Sequence, residues 1–230
     1  MSFKKIFTLP FNFDIPTFTE EFLRHEKFIK PRLKYIKRFC YIYFKRQHLH
    51  EINNILPQHK SILWINISAP SLGDSLMDLS SRILLEDRQV DLFTDAKNAN
   101  LYIEDSIFSS VYTNTKEVEK IYDLVIIDSY SSRSIHAKKN IAPSTPFVGM
   151  FGYFNGPEVN RVLFSFHRMN HLLSYKLDEG EINKIAKTSI SITKSDQELI
   201  QSVFIPLNFV AFAIGGEWTY RTYSKWSLVI

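Results

Sequence analysis

The chain has little from which to build a covalent or metal-bound framework. Its 230 residues hold one cysteine, Cys40, so no internal disulfide forms and a reducing compartment fits. The seven histidines make no metal-ligand pattern with Cys40. No window approaches the eighteen or so uninterrupted apolar residues of a transmembrane helix, and Asn12, Asp14 and Glu20 interrupt any signal-peptide core. Glycine is also short where it would matter. Only Gly73 stands where a dinucleotide fingerprint needs three, and there is no P-loop. Ser129, Ser131 and Ser132 lack a nucleophile-elbow context. Covalent and metal catalysis are therefore disfavoured.

What is present is a globular composition, 45% hydrophobic and 23% charged, with an uneven charge. Residues 1–60 hold 12 Lys+Arg against 5 Asp+Glu, and the rest hold 16 against 19, so the two parts carry +7 and −3. The basic character belongs to the leader, and no nucleic-acid partner is expected. Residues 1–16 read as an aromatic, proline-punctuated arm. Residues 17–49 read as helical, with Thr19 as a cap and Pro31 breaking or kinking the helix near Lys30. The run PRLKYIKRFCYIYFKR sets Tyr35, Ile36, Phe39, Tyr43 and Phe44 at helical spacing among basic residues. Two uses fit residues 24–46: adsorption to an anionic membrane surface, or packing of the aromatic face on the globular body.

From Ser61 onward the pattern alternates. Strands are expected at 62–67, 89–94, 107–112, 123–128 and 146–150, and helices at 74–85, 97–103, 115–121 and 157–175. Such alternation implies βαβ units and a parallel, Rossmann-like α/β sheet. Ser195 to Glu198 reads as a capping box opening a helix at 195–204. Phe209 to Ile214 reads as the first strand of a further unit. Three regions follow: a helical extension at 1–60, a Rossmann-like domain at 61–205, and the start of another domain at 206–230.

The stretch SILWINISAPSLGDSLM, from Ser61 to Met77, organises the rest. It reads as strand, loop and helix, with Asp74 at the helix mouth. There the helix dipole favours the ionised carboxylate, which can act as a general base or simply cap the helix. After the strand DLVIID, the polar run from Asp128 places Arg133, His136, Lys138 and Lys139 at the same sheet edge. These read as contacts for an anionic substrate group, or as solvated loop charges. His167 and His171 are four apart on one helix face, facing either the cleft or the core.

Together, ILWINISAPSLGDSL, YDLVIIDSYSSRS, FVGMFG, the helix carrying HRMNH and the junction VAFAIGGEWTYRTYSKW resemble the heptosyltransferase family. These are inverting glycosyltransferases of bacterial lipopolysaccharide core assembly (glycosyltransferase family nine). The resemblance covers roughly 61–230. It implies a two-domain GT-B architecture whose N-terminal half binds a glycolipid acceptor. The other half binds a nucleotide-sugar such as ADP-heptose, without metal or other cofactor. It implies Asp74 as the base, and beside it Ser71, Arg133, His136, His167 and His171 are the candidate acceptor contacts. Lys225 falls where the family places a phosphate-contacting lysine. Here it directly precedes Trp226, where the family usually has one residue between, and Arg221 is the alternative. The family's donor-binding loops lie beyond Ile230, so no turnover is expected from the chain as it stands. A cytoplasmic protein, peripheral on the inner face of the inner membrane, is implied. Two other readings stay open: a non-catalytic membrane-surface module binding glycolipid or a partner, and an unrelated Rossmann-like enzyme.

Overall fold

The computed structural model describes residues 29–152, 160–192 and 194–202. The expected strand at 209–214 lies outside them, as do Thr19, Arg221 and Lys225. The chain divides into two compact units, residues 1–191 and 192–230.

All five expected strands form: β1 (Ser61–Asn66), β2 (Gln89–Thr94), β3 (Phe108–Tyr112), β4 (Leu124–Ile127) and β5 (Phe147–Gly149). They make one parallel sheet in the order β3-β2-β1-β4-β5, a Rossmann-like α/β arrangement. Strands buried on both faces read as continuous apolar runs, and β1 shows why. Ile62 and Trp64 enter one core with Leu79, Phe164, Met169 and Leu172. Leu63 and Ile65 enter the other, with Tyr35, Ile42, Ile135 and Phe147. Each such buried side chain is worth about 1.5–3 kcal/mol. The outer edge of β5 is covered by residues 50–52, since Ile52 N–H donates to the Phe147 carbonyl and Phe147 N–H to that of His50, both at 2.9 Å.

The helices are α1 (Ile29–Phe44), α2 (Leu72–Asp78), α3 (Ala96–Ala99), α4 (Ser132–Ile141), α5 (Arg161–Leu172), α6 (Glu179–Ile185) and α7 (Lys194–Ser202). Pro31 falls in the first turn of α1, where a missing N–H is tolerated. Three expected helices are shorter than the pattern suggested. The one at 74–85 is α2 followed by a 3-10 turn over Ser80–Leu85. The Ser80 hydroxyl donates to the Met77 carbonyl at 2.7 Å and closes the α-helix there. The segment 97–103 keeps only α3. That at 115–121 keeps one 3-10 turn, Thr115–Glu117. Beyond it, Lys120 and the Tyr122 hydroxyl reach the buried Asp91 carboxylate, at 2.8 and 2.9 Å. α7 begins at Lys194, so Ser195 sits inside the helix rather than before it.

Two helices were not foreseen, α4 and α6. α6 opens on a capping box between Asp178 and Glu181. Residues 132–141 form α4, capped by Ser131, whose Oγ accepts from Ser134 N–H at 3.1 Å. This corrects the reading of Lys138. Its side chain is fully buried, with Nζ donating to Gln47 Oε1 at 2.7 Å and to the Pro143 carbonyl at 3.1 Å. Burial pushes the ammonium down to about 8.

Candidate functional site

β1 and β4 are neighbours, and the chain leaves them in different directions: from β1 to α2, and from β4 to α4. Ligands of open α/β sheets bind in the crevice this divergence creates. A cleft of about 280 Å³ lies there, at the small end of the range for small-molecule sites.

Its floor is Asp128, one residue past β4 and 1% exposed. Oδ2 accepts from Ile67 N–H at 3.0 Å and Ser68 N–H at 2.6 Å. Oδ1 accepts from the Ser134 hydroxyl at 2.7 Å and from Ser129 N–H. Burial pushes this carboxyl up, and these donors pull it back. Above it the Ser68, Ser131 and Ser134 hydroxyls lie 2.9 Å from one another. With both oxygens occupied, Asp128 fastens the β1 loop to the β4 loop.

One wall comes from α2 and α5. Arg161 donates from Nε to Asp78 Oδ1 at 2.9 Å, from Nη2 to Asp78 Oδ2 at 2.7 Å, and from Nη1 to Asp74 Oδ1 at 3.3 Å. Asp74 and Asp78 are four residues apart on one face of α2, so one guanidinium ties both to α5. Asp78 lines the cleft and Asp74 does not. Burial pushes the Asp78 carboxyl up to about 7; Arg161 opposes this, and Asp128 and Asp74 add to it. A carboxyl balanced near neutrality suits proton transfer. Lys34 and Arg38 from α1 and Arg133 from α4 also line the cleft.

Asp78 has a pH signature. Its folded value of about 7 exceeds the unfolded value of about 3.9. The folded state thus holds the proton more tightly, and this group's contribution to stability falls as pH rises from about 4 to about 7. The wild-type urea midpoint should fall across that window relative to Asp78→Asn, then run parallel above it. A constant difference from pH 4 to 8 would count against the assignment.

The sequence-derived residues scatter. Ser71 is the N-cap of α2. Its Oγ accepts from Asp74 N–H at 3.2 Å and donates to Asp74 Oδ2 at 2.6 Å. Asp74 is therefore in the first turn, not at the cap. Arg133 lines the cleft, with Nη2 on Asp95 Oδ1 at 2.6 Å. His136 is exposed on α4, 3.1 Å from Asn140 Nδ2. His167 is buried in α5, and His171 is half-buried with its imidazole pushed down by burial and by Arg168. Neither lines the cleft. The structure thus joins Ser71 to Asp74 and brings Arg133 to the cleft, leaving the histidines apart. Among the described residues, no three His, Cys, Asp or Glu side chains gather as a metal site needs.

Asp78 and Arg161 went unnoticed in the sequence; Asp128 was read only as the start of a polar run, and Lys34 and Arg38 only as part of a basic helix. Only the i, i+4 spacing of Asp78 behind Asp74 signalled one of them. No family model matches the chain, and no curated protein or solved structure matches it either.

Proposed function

We propose that this chain is the acceptor-binding half of an inverting glycosyltransferase of the heptosyltransferase kind. It moves a heptose-like sugar from a nucleotide-sugar such as ADP-heptose to a lipopolysaccharide or other cell-surface glycan. One observation carries the reading: a carboxylate of α2, Asp78, faces a cleft at the switch point of the sheet, one helical turn beyond the Gly73-Asp74 turn. In this reading the acceptor hydroxyl gives its proton to a carboxylate of α2. The alkoxide attacks the anomeric carbon from the face opposite the nucleotide, and the diphosphate leaves with inversion. Lys225 or Arg221 would meet that diphosphate.

The chain alone is not expected to turn over, so the test is transfer of labelled heptose from ADP-heptose to a glycolipid acceptor by the chain supplied with a donor-binding domain of that family. Removing the base costs at least about 10²-fold in rate, so the larger loss among Asp74→Asn and Asp78→Asn names it. Absence of transfer with every nucleotide-sugar tried removes the transferase reading.

A second reading, a non-catalytic module that binds glycolipid or a partner at a membrane surface, is favoured by the engagement of Asp74. Ser71 and Arg161 hold both its oxygens. In either reading the outer side of α1 supports peripheral contact with the inner face of the inner membrane. Phe44 is 81% exposed and Leu33 60%, beside exposed Lys37 and Arg46. No described helix is long and apolar enough to cross a membrane. Sedimentation with phosphatidylglycerol vesicles should fall about tenfold in Phe44→Ser, in line with about 1.5 kcal/mol for a large apolar side chain. Equal binding by the variant removes the surface.

A further inference from the structure

α1 lies outside the stretch that resembles glycosyltransferases, yet it forms part of the cleft. Lys34 and Arg38 are one turn apart on α1 and both line it. Arg133 joins them from the first turn of α4. Ser131 and Ser132, at the same helix end, line it too, so the positive end of a ten-residue helix adds to the three side chains. Asp78 and Asp128 are the acidic groups of the lining. Asp78 is taken by Arg161, and Asp128 by the hydroxyl and backbone donors described above; Asp128 also attracts the Arg38 guanidinium, and Arg133 holds Asp95 outside the lining at 2.6 Å, so a bound anion would share these two cations with carboxylates.

Lys34 stands beside a like charge. Burial lowers the Lys34 ammonium, and the neighbouring Arg38 guanidinium lowers it further. A dianion between the two side chains would relieve that repulsion, and fork-shaped guanidinium groups match phosphate oxygens.

We infer that Lys34, Arg38 and Arg133 form a binding site for a phosphate monoester, on the β4 side of the cleft, so that the acceptor is a phosphorylated sugar. The inference deepens the acceptor reading and rests on it for the role of the bound molecule, not for the binding itself. The phosphate has two possible sources, a soluble sugar phosphate and a lipid headgroup, and the chemistry is common to both.

The experiment titrates the full chain calorimetrically with glucose 6-phosphate, inorganic phosphate and glucose at constant ionic strength. Lys34→Glu is compared with Lys37→Glu. Both lysines are exposed on α1 and the charge change is identical, but Lys37 does not line the cleft. Glucose 6-phosphate and phosphate should bind, and glucose should not. Lys34→Glu should weaken both anions at least tenfold and Lys37→Glu less than twofold. Equal effects of the two variants, no phosphate binding by the wild type, or equal affinity for glucose and glucose 6-phosphate would overturn the site. Displacement of bound glucose 6-phosphate by phosphatidic acid vesicles supports a headgroup source; retention supports a soluble one. Phosphate binding without transfer sinks the glycosyltransferase reading and leaves this site standing. Transfer indifferent to Lys34→Glu does the reverse.

Discussion

Asp128→Ala lowers the stability of the sheet domain by about 3–5 kcal/mol, read from urea unfolding. The carboxylate is the shared acceptor for Ile67 N–H, Ser68 N–H, Ser129 N–H and the Ser134 hydroxyl. Alanine leaves these donors facing one another in a buried space. Each unsatisfied buried donor costs about 1–3 kcal/mol; water reaching Ser68, which is not fully buried, recovers part of it. For a domain of this size each kcal/mol shifts the melting temperature by about 2–4 °C, so a drop near 10 °C accompanies the loss. Asp128→Asn should fall between, since its amide nitrogen would face a backbone donor. A loss under about 1 kcal/mol in Asp128→Ala would mean that the two loops hold together without this side chain.

Arg82→Met produces a comparable loss by a different route. Arg82 and Asp105 are 2% and 3% exposed. Nε and Nη2 both donate to Asp105 Oδ2, at 3.0 and 2.6 Å. Nη1 donates to the Leu79 carbonyl at 3.2 Å and Nη2 to that of Ser189 at 2.9 Å. The pair ties the turn after α2 to the loop before β3 and to the stretch after α6. Removing the cation leaves a buried carboxylate unpaired, which costs about 3–5 kcal/mol. Arg82→Met combined with Asp105→Leu should recover most of that, because the buried charge goes too. If the double variant is as unstable as the single one, the carbonyl contacts of Arg82 matter more than its charge.

The sheet was legible because parallel strands buried on both faces need unbroken apolar runs, and 62–67 and 123–128 supply them. The cleft was less so. Its main parts come together only through the pairing of β1 with β4, some sixty residues apart, and no local pattern encodes that. α4 was hidden because SRSIHAKKNI turns few large apolar side chains inward, Ile135 among them, so its composition reads as loop. Asp74 stood out beside a glycine, whereas Asp78 looked like any polar residue on a helix face. The leader's two uses were read as alternatives, and the structure shows the packing one: Tyr35 and Ile42 join the core beside the sheet, while Phe44 stays exposed, so the two uses need not compete.

That double-sided helix sets a distance. Lys34 at the cleft and Phe44 on the outer surface are separated by ten residues, or about 15 Å along the axis at 1.5 Å per residue. Leu33, next to Lys34, is exposed as well, so a bilayer meeting both Leu33 and Phe44 would run along that length with the cleft lysine near its surface. An acceptor anchored in such a bilayer would need no long sugar spacer to bring its headgroup to the cleft.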